Sequence, residues 1–262
     1  MLKALKRRTP ILTYHAIAPD DFSVVPSEWS KEHIVSEFSF NAHLDFLDSE
    51  GWRTVGPESL GTILVGAEEK YVAITFDDGH ASDIKAAETL LRHGFTAVFF
   101  LPWSHIGRRG YLDAHAVKYL VREGFKIGSH GMTHAPLTNR SEIEMERELV
   151  ESKQRLEELT GTAIADLAVP FGRYDREVIS AALAAGYERI MTSDMGMARV
   201  RSRAVLPRLS IHSRTTFEDF CTMLSEAPTK LMARRIRRGA HRRLRRIKSA
   251  VHLALSQSSQ PR

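Results

Sequence analysis

The 262-residue chain has a single cysteine, Cys221, and no apolar run that approaches the 18 or so residues of a membrane span. One cysteine excludes an internal disulfide and a thiolate metal cluster. The basic N-terminal stretch MLKALKRRTPILTYH contains no apolar segment long enough for a signal peptide. These absences predict a protein of the cytoplasm. The composition, 43% hydrophobic and 26% charged, is that of a globular protein with one sizeable core.

The net charge of +5 is distributed unevenly along the chain. Residues 230–262 contain 11 of the 37 lysines and arginines and none of the 32 acidic residues, which leaves 26 basic against 32 acidic residues in positions 1–229. The body of the protein is therefore acidic, and we expect no nucleic-acid partner for it. The same boundary predicts two parts, a folded domain over residues 1–226 and a basic tail over residues 227–262.

The tail has the pattern of an amphipathic helix. Apolar residues recur every three or four positions from Met232 to Leu255, and arginines cover the other faces. An arginine-rich polar face favours peripheral contact of residues 230–256 with an anionic membrane, which would place the protein at the inner face of that membrane. A helix docked on the domain or on a partner, a nucleic-acid-binding tail and a disordered end remain alternatives.

Residues 1–226 alternate between short apolar runs typical of buried strands and segments with helical spacing. Helical patterns include residues 33–49 and the stretch from Ser141, which fits a capping box with Glu144, to the stop at Gly161. Strand and helix patterns alternate roughly eight times. The sequence therefore predicts an α/β protein with a distorted parallel (β/α) barrel of about seven to eight strands, followed by the C-terminal basic amphipathic helix.

Two carboxylates, Asp77 and Asp78, directly follow the most apolar strand pattern. Buried carboxylates are costly unless they are paired or bind a metal. Side chains alternate along a strand, so the two should diverge unless the backbone turns, and Gly79 permits a turn. Ligand sites in α/β folds lie at this end of the strands. Taken alone, an Asp-Asp-Gly loop is more typical of a turn that caps the next helix.

A second chemical motif is His130 and His134, which also follow a strand pattern. An H-x-x-x-H pair is weak evidence by itself in a chain with 12 histidines. Two neutral imidazoles and one carboxylate, however, are the usual protein ligands of a hydrolytic Zn²⁺. The remaining carboxylate of the Asp77-Asp78 pair would then be free to deprotonate the attacking water.

The combination of T-F-D-D-G around Asp77 and S-H-x-x-x-H around His130 resembles the NodB-type polysaccharide deacetylases, which are carbohydrate esterase family 4-like. The likeness covers about residues 8–225. It implies a distorted barrel, a divalent metal ion, most often zinc, and hydrolytic removal of acetyl groups from sugars. By the same resemblance Asp77 is the catalytic base, and Asp78, His130 and His134 hold the metal.

The likeness continues, with departures, in V-P-F-G, which resembles the third motif of the family. There the backbone N–H of Phe171 is expected to bind the oxyanion. The arginine that commonly begins this motif and orients the base is replaced by Ala168. Arg208 is the candidate to supply that guanidinium at the substrate site, and Arg173 is a weaker one. The tryptophan of the fourth motif has no counterpart in Met191–Asp194.

The family's last motif ends in a histidine that protonates the leaving amine, and two positions compete for it. His212 has the conventional order, in L-S-I-H near the end of the domain. His15, in L-T-Y-H, resembles a circularly permuted branch in which that strand opens the chain. We favour His15 as the imidazolium acid, with His212 as the alternative.

The predicted function is that of a metal-dependent hydrolase that N-deacetylates an acetylated sugar or a polysaccharide- or lipid-linked glycan intermediate. The alternatives are an amidase or deacylase on a non-sugar substrate, and an inactive glycan- or membrane-binding protein of the same fold. Three histidines stay unassigned: His80, His105 and His115. Four aromatic residues are candidates for stacking on a sugar ring: Phe99, Phe100, Trp103 and Tyr111.

Overall fold

A computed structural model describes the following residues: 8–21, 25, 29–61, 69–199 and 204–225. The basic tail over residues 227–262, with its predicted membrane contact at 230–256, lies outside the described residues. Among the described residues no helix is long and apolar enough to cross a bilayer.

The described residues form these β-strands: β1 (Arg8–Thr9), β2 (Ile11–Tyr14), β3 (Ala16–Ala18), β4 (Ile34–Ser36), β5 (Trp52–Thr54), β6 (Lys70–Asp77), β7 (Val98–Leu101), β8 (Lys126–Ser129), β9 (Asp166–Ala168), β10 (Arg189–Met195), β11 (Ala198–Arg199) and β12 (Val205–Ser210). They form these α-helices: α1 (Glu37–Ser49), α2 (Asp83–Arg92), α3 (Ala114–Arg122), α4 (Glu142–Glu146), α5 (Ser152–Thr160), α6 (Arg176–Ala184) and α7 (Phe217–Ser225).

Seven parallel strands close into a barrel in the order β2, β12, β10, β9, β8, β7, β6 and back to β2. This confirms the predicted parallel barrel. The first of its strands, β2, closes the ring between β12 and β6. Strand β5 extends the sheet outside the ring, because it pairs with Lys70–Val72 while β2 pairs with Ala73–Phe76. The pairs β1–β11 and β3–β4 form two small separate sheets.

The barrel buries both faces of its strands, which explains why the apolar runs show little alternation. On β6, Val72, Ile74 and Phe76 belong to the main core that the helices cover. Ala73 belongs to a second cluster inside the ring, together with Val98 and Leu206. Because strand side chains alternate, the residues two and four positions after Ala73, Thr75 and Asp77, point into the barrel as well. The sequence therefore places a carboxylate at the inner mouth of the barrel.

Two predicted helices differ from the structure. The helix predicted over 33–49 begins only at Glu37, because Ile34–Ser36 pair with β3 and the Ser36 hydroxyl then caps α1. The long helix after Ser141 begins with the predicted capping box and ends at the left-handed Gly161. It is interrupted by one π-helical turn, Arg147–Glu151, between α4 and α5. The hydrophobic spacing does not reveal that turn, because the predicted stripe positions Leu149, Ser152 and Leu156 are all buried across it.

Candidate active site

Except for the buried Arg208, the predicted site residues meet in one cleft of about 760 Å³ at the carboxyl ends of the barrel strands. His15 follows β2, Asp77 ends β6 and His130 follows β8. Phe171 lies just after β9, and His212 lies just after β12. All five line the cleft, so residues that are far apart in the chain share one surface.

Asp77 and Arg208 form a buried, bidentate ion pair. Arg208 Nη1 and Nη2 donate to Asp77 Oδ1 and Oδ2, both at 2.7 Å. Arg208 Nε donates to the Thr192 carbonyl at 3.1 Å, and Nη1 also contacts Thr75 Oγ1 at 3.3 Å. Burial raises the pKa of Asp77, but the charges of Arg208 and His130 and the hydrogen bonds outweigh it and hold the pKa below its ordinary value. Asp77 is therefore an oriented, ionised carboxylate.

The turn that separates the two carboxylates starts one residue earlier than the sequence suggested. Asp78 itself has a φ of 77°, and Gly79 follows with a φ of 69°. Asp is one of the few residues that tolerate the left-handed region, although at some cost. This turn directs the Asp78 carboxylate away from Arg208 and toward the histidines that follow β8.

Asp78, His130 and His134 form a three-residue cluster in which one ligand atom from each lies within 4.8 Å of the others. His134 Nε2 is 3.1 Å and His130 Nε2 is 3.5 Å from Asp78 Oδ1. His130 Nδ1 donates to the Ala168 carbonyl at 2.7 Å, which fixes the ring with Nε2 facing the carboxylate. Asp78 Oδ1 is buried without a hydrogen-bond partner. An orphaned carboxylate oxygen beside two imidazole nitrogens fits a divalent cation.

The electrostatics of this cluster are those of cation ligands. Burial raises the pKa of Asp78, but contacts with His130, His134 and His80 hold it well below its ordinary value. Burial lowers the pKa of His130, but the carboxylates of Asp78 and Asp77 more than reverse this, so the pKa is raised. His130 therefore faces two carboxylates, an arrangement that also suits a bound cation.

Two of the unassigned histidines flank Asp78. His80 Nε2 is 3.5 Å from Asp78 Oδ2, on the other side of the carboxylate from the two ligand histidines. His105 Nδ1 donates to the Asp78 carbonyl at 3.2 Å and supports its left-handed conformation. The Tyr111 ring packs beside both imidazoles, at 5.2 and 4.3 Å between centroids. His115 is exposed on α3 and does not line the cleft.

The two candidate acids, His15 and His212, lie on the same side of the cleft with His33 between them. The rings of His15 and His33 stack with centroids 4.3 Å apart, and the rings of His33 and His212 are 5.4 Å apart. Burial lowers the pKa of His15 to about 4, although the charges of Asp78 and Asp77 act in the opposite direction. The sequence pattern does not mark His33 as a site residue, because His33 belongs to none of the motifs. It lies in a turn just before β4.

Phe171 sits at a strained position on the rim of the cleft. Its φ is 58°, its side chain is 59% exposed, and its ring lies 4.8 Å from that of His134. Gly172 follows with a φ of 64°, and a Cβ there would lie 2.4 Å from Ser193 Oγ. The turn after β9 therefore needs glycine at the second position and presents a phenyl ring to the cleft at the first.

Three of the four aromatic residues that were candidates for sugar stacking do not line the cleft. Phe99 and Phe100 are fully buried in β7, and Phe100 packs under the Arg208 guanidinium at 5.6 Å, so neither can touch a sugar. Trp103 packs beside Arg155 and does not line the cleft. Tyr111 does line it. Both faces of a barrel strand are buried, and this is why aromatic residues within β7 are core.

The fold and the site define a class of protein, a parallel (β/α) barrel with a candidate metal centre at the carboxyl ends of its strands. Comparison with known proteins shows which families the chain resembles. The family model for polysaccharide deacetylase matches residues 65–190. YxkH of Bacillus subtilis, designated a polysaccharide deacetylase, is 28% identical over 195 residues, which are 73% of this chain and 66% of YxkH. A peptidoglycan-N-acetylglucosamine deacetylase of Bacillus cereus is 30% identical over 139 residues, 52% of this chain and 63% of the relative.

Solved structures agree with this placement. BC0361, a polysaccharide deacetylase from Bacillus cereus, superposes with a TM-score of 0.73 at 27% identity, over 83% of this chain and 69% of BC0361. The Streptococcus pyogenes deacetylase PplD has the same fold, with a TM-score of 0.73 at 24% identity, over 83% of this chain and 98% of PplD. Over residues 65–190 the chain matches the polysaccharide deacetylase family, and its fold is that of solved polysaccharide deacetylases. It spans just under two thirds of the two curated relatives named above.

Proposed function

We propose that this protein hydrolyses the N-acetyl group of an acetylated amino sugar in a glycan. The observation that carries the proposal is the adjacency of an Arg208-held carboxylate, Asp77, to the cluster of Asp78, His130 and His134. The names of the relatives, which include peptidoglycan-N-acetylglucosamine deacetylases, support an acetylated sugar as substrate.

Asp78, His130 and His134 are the residues that would hold the metal. A bound divalent cation supplies Lewis acidity at the acetyl carbonyl and lowers the pKa of a water. We propose Zn²⁺, because two imidazoles and a carboxylate suit it and His130 already has its outer hydrogen bond to a backbone carbonyl.

Asp77 acts as the general base. Arg208 occupies one lone pair of each carboxylate oxygen and keeps the group ionised and oriented, while the remaining lone pairs accept the proton of the attacking water. The acetyl carbonyl becomes an oxyanion as that water attacks. The backbone N–H of Phe171, at the rim turn, stabilises this charge, which can be worth a few kcal/mol in the transition state.

The leaving nitrogen takes its proton from His15, with His212 as the alternative acid. With a pKa of about 4, His15 is neutral at pH 7, so the proton that it passes to the nitrogen is the one that Asp77 takes from the attacking water. The position of β2 between β12 and β6 supports the view that His15 belongs to a circularly permuted motif. Comparison of His15→Ala with His212→Ala on one substrate tests the assignment, because replacing the true acid should lower kcat more.

The test of the function separates metal binding from catalysis. Acetate release from N-acetylated chito-oligomers and peptidoglycan fragments should vanish on chelation and return with Zn²⁺. Asp78→Asn should lose both zinc and activity, whereas Asp77→Asn should keep zinc and lose about 10²–10⁴-fold in kcat. His115→Ala, a control away from the cleft, should change neither. Acetate release by Asp77→Asn at the wild-type rate would refute the mechanism.

Other outcomes would support the alternatives. Release of acetate from non-sugar amides but not from sugars would indicate the amidase. Binding of glycans without release of acetate would indicate an inactive binding protein. A cytoplasmic location and membrane contact through residues 230–256 remain predictions, and both follow from the sequence only.

A further inference from the structure

We propose that Glu148 is a positioning residue that holds the loop between His130 and His134 in its metal-binding conformation. Glu148 lies 14 residues beyond His134 and is only 5% exposed. Its Oε2 accepts the backbone N–H groups of Met132 at 2.8 Å and Thr133 at 3.0 Å. Its Oε1 accepts the Thr133 hydroxyl. One carboxylate therefore takes three hydrogen bonds from two of the three residues between the ligands.

The loop is shaped to admit this carboxylate. Gly131 has a φ of 82°, and a Cβ there would lie 2.9 Å from Glu148 Oε2. A side chain at position 131 would push the loop off the carboxylate as well as strain the backbone. His134 itself has a φ of 59°, a conformation that costs roughly 1–3 kcal/mol and persists only where the surroundings enforce it. The bonds to Glu148 hold the two residues before His134, while the N–H groups of Trp103 and Ser104 donate to the Gly131 and Met132 carbonyls.

The π-helical turn is what aims Glu148 at the loop. The turn Arg147–Glu151 inserts one residue into the helix between α4 and α5, which rotates Glu148 relative to a regular helix. Buried hydroxyls satisfy the carbonyls that the turn displaces. Ser152 Oγ donates to the Glu148 carbonyl at 2.6 Å, and Tyr187 Oη donates to the Leu149 carbonyl at 2.9 Å.

The same hydroxyl network continues to the strand that carries His130. Ser152 Oγ lies 3.1 Å from Ser129 Oγ, and the Gly131 N–H donates to Ser129 Oγ at 3.2 Å. Ser129 and Ser152 are fully buried. The π turn is therefore joined to the ligand loop at its His130 end, and Glu148 holds Met132 and Thr133 in the middle of the loop. Without the carboxylate, a bound cation would have to order Met132 and Thr133 itself, so the affinity for zinc should fall.

The test measures zinc affinity of the full chain by competition with a chromophoric chelator, so that it does not depend on acetate release. Glu148→Leu should weaken zinc binding at least about tenfold, the lower end for residues that support metal ligands. Glu148→Gln should stay close to wild type, since its amide oxygen can accept both N–H groups and its NH₂ can donate to Thr133 Oγ1. Glu151→Leu, an exposed position of the same π turn, should change nothing.

A role in folding alone predicts a different result, a lower free energy of unfolding with unchanged zinc affinity in Glu148→Leu. That result would overturn the proposal. If Glu148→Leu does not fold, Thr133→Val, which removes only the hydroxyl bond, should still weaken zinc binding measurably, and wild-type affinity there would overturn it.

The inference rests on the metal centre of the proposed function but not on its substrate. Wild-type zinc binding that Glu148→Leu weakens would support Glu148 even if no sugar released acetate. Failure of the wild-type protein to bind zinc would overturn both.

Discussion

Replacing Arg208 by methionine tests how the base is held. The change leaves the Asp77 carboxylate buried with neither of its two 2.7 Å bonds, while methionine fills most of the space. Both side chains of the pair are almost fully buried, with 1% of Arg208 and 5% of Asp77 exposed. Removal of one partner of such a pair costs about 3–5 kcal/mol, because the other charge stays buried without compensation. We expect Arg208→Met to lower the free energy of unfolding by that amount.

The double variant Asp77→Asn/Arg208→Met shows whether the cost comes from the stranded charge. It removes both charges and leaves a polar amide beside an apolar side chain. The loss in the double variant should be smaller than the sum of the two single losses, by about 2 kcal/mol. Asp77→Asn alone leaves the guanidinium without its counter-charge, although its contacts with Thr192, Thr75 and the Phe100 ring remain.

The assay is urea unfolding at pH 7 in the presence of a chelator, so that metal binding does not add to stability. Midpoints are comparable only if the m-values agree. Arg173→Met is the matched control, because Arg173 lines the same cleft but is exposed, and such changes usually fall within about 0.5 kcal/mol. The reasoning is refuted if Arg208→Met is no less stable than Arg173→Met, or if the two single losses simply add.

Two further predictions concern a buried histidine and the strained rim. Burial lowers the pKa of His43 to about 4, against about 6.5 in the unfolded chain, so its contribution is complete above pH 6.5 and is lost as the pH falls toward 4. Wild type should therefore lose about 3 kcal/mol more than His43→Asn over that range, and equal losses in urea unfolding would contradict this. Phe171→Gly should gain about 0.5–1 kcal/mol by relieving the positive φ, yet lose kcat/KM on the sugar. Unchanged stability and kinetics would show that neither the strain nor the ring matters.

The parts of the site that the sequence predicts are those in which chemistry directly follows a strand. Asp77 and His130 stand at the ends of apolar runs, and parallel strands bring such ends to one mouth. The sequence also predicts Arg208 as a candidate, because Arg208 lies near the end of the last barrel strand in the chain. The sequence does not predict its buried ion pair with Asp77, because that pair forms only when the barrel closes and brings β12 near β6.

The parts that the sequence does not reveal depend on shifts of one residue or on partners without a motif. The π turn moves Glu148 onto the ligand loop without disturbing the apolar stripe. His33 meets His15 because Ile34–Ser36 leave the expected helix and pair with β3. Helical spacing over so few residues also suits a short strand, and only the tertiary pairing decides between them.

The cleft also concentrates backbone strain. The described residues include four non-glycine positions with positive φ, and three of them, Asp78, His134 and Phe171, line the cleft, whereas Asn139 does not. Each such conformation costs roughly 1–3 kcal/mol and has to be enforced by its surroundings. Here two of the three carry proposed metal ligands and the third carries the proposed oxyanion donor. Strain held at these three positions is expected of a site that is preorganised for a reaction, and it favours the hydrolase over a binding protein that kept only the fold.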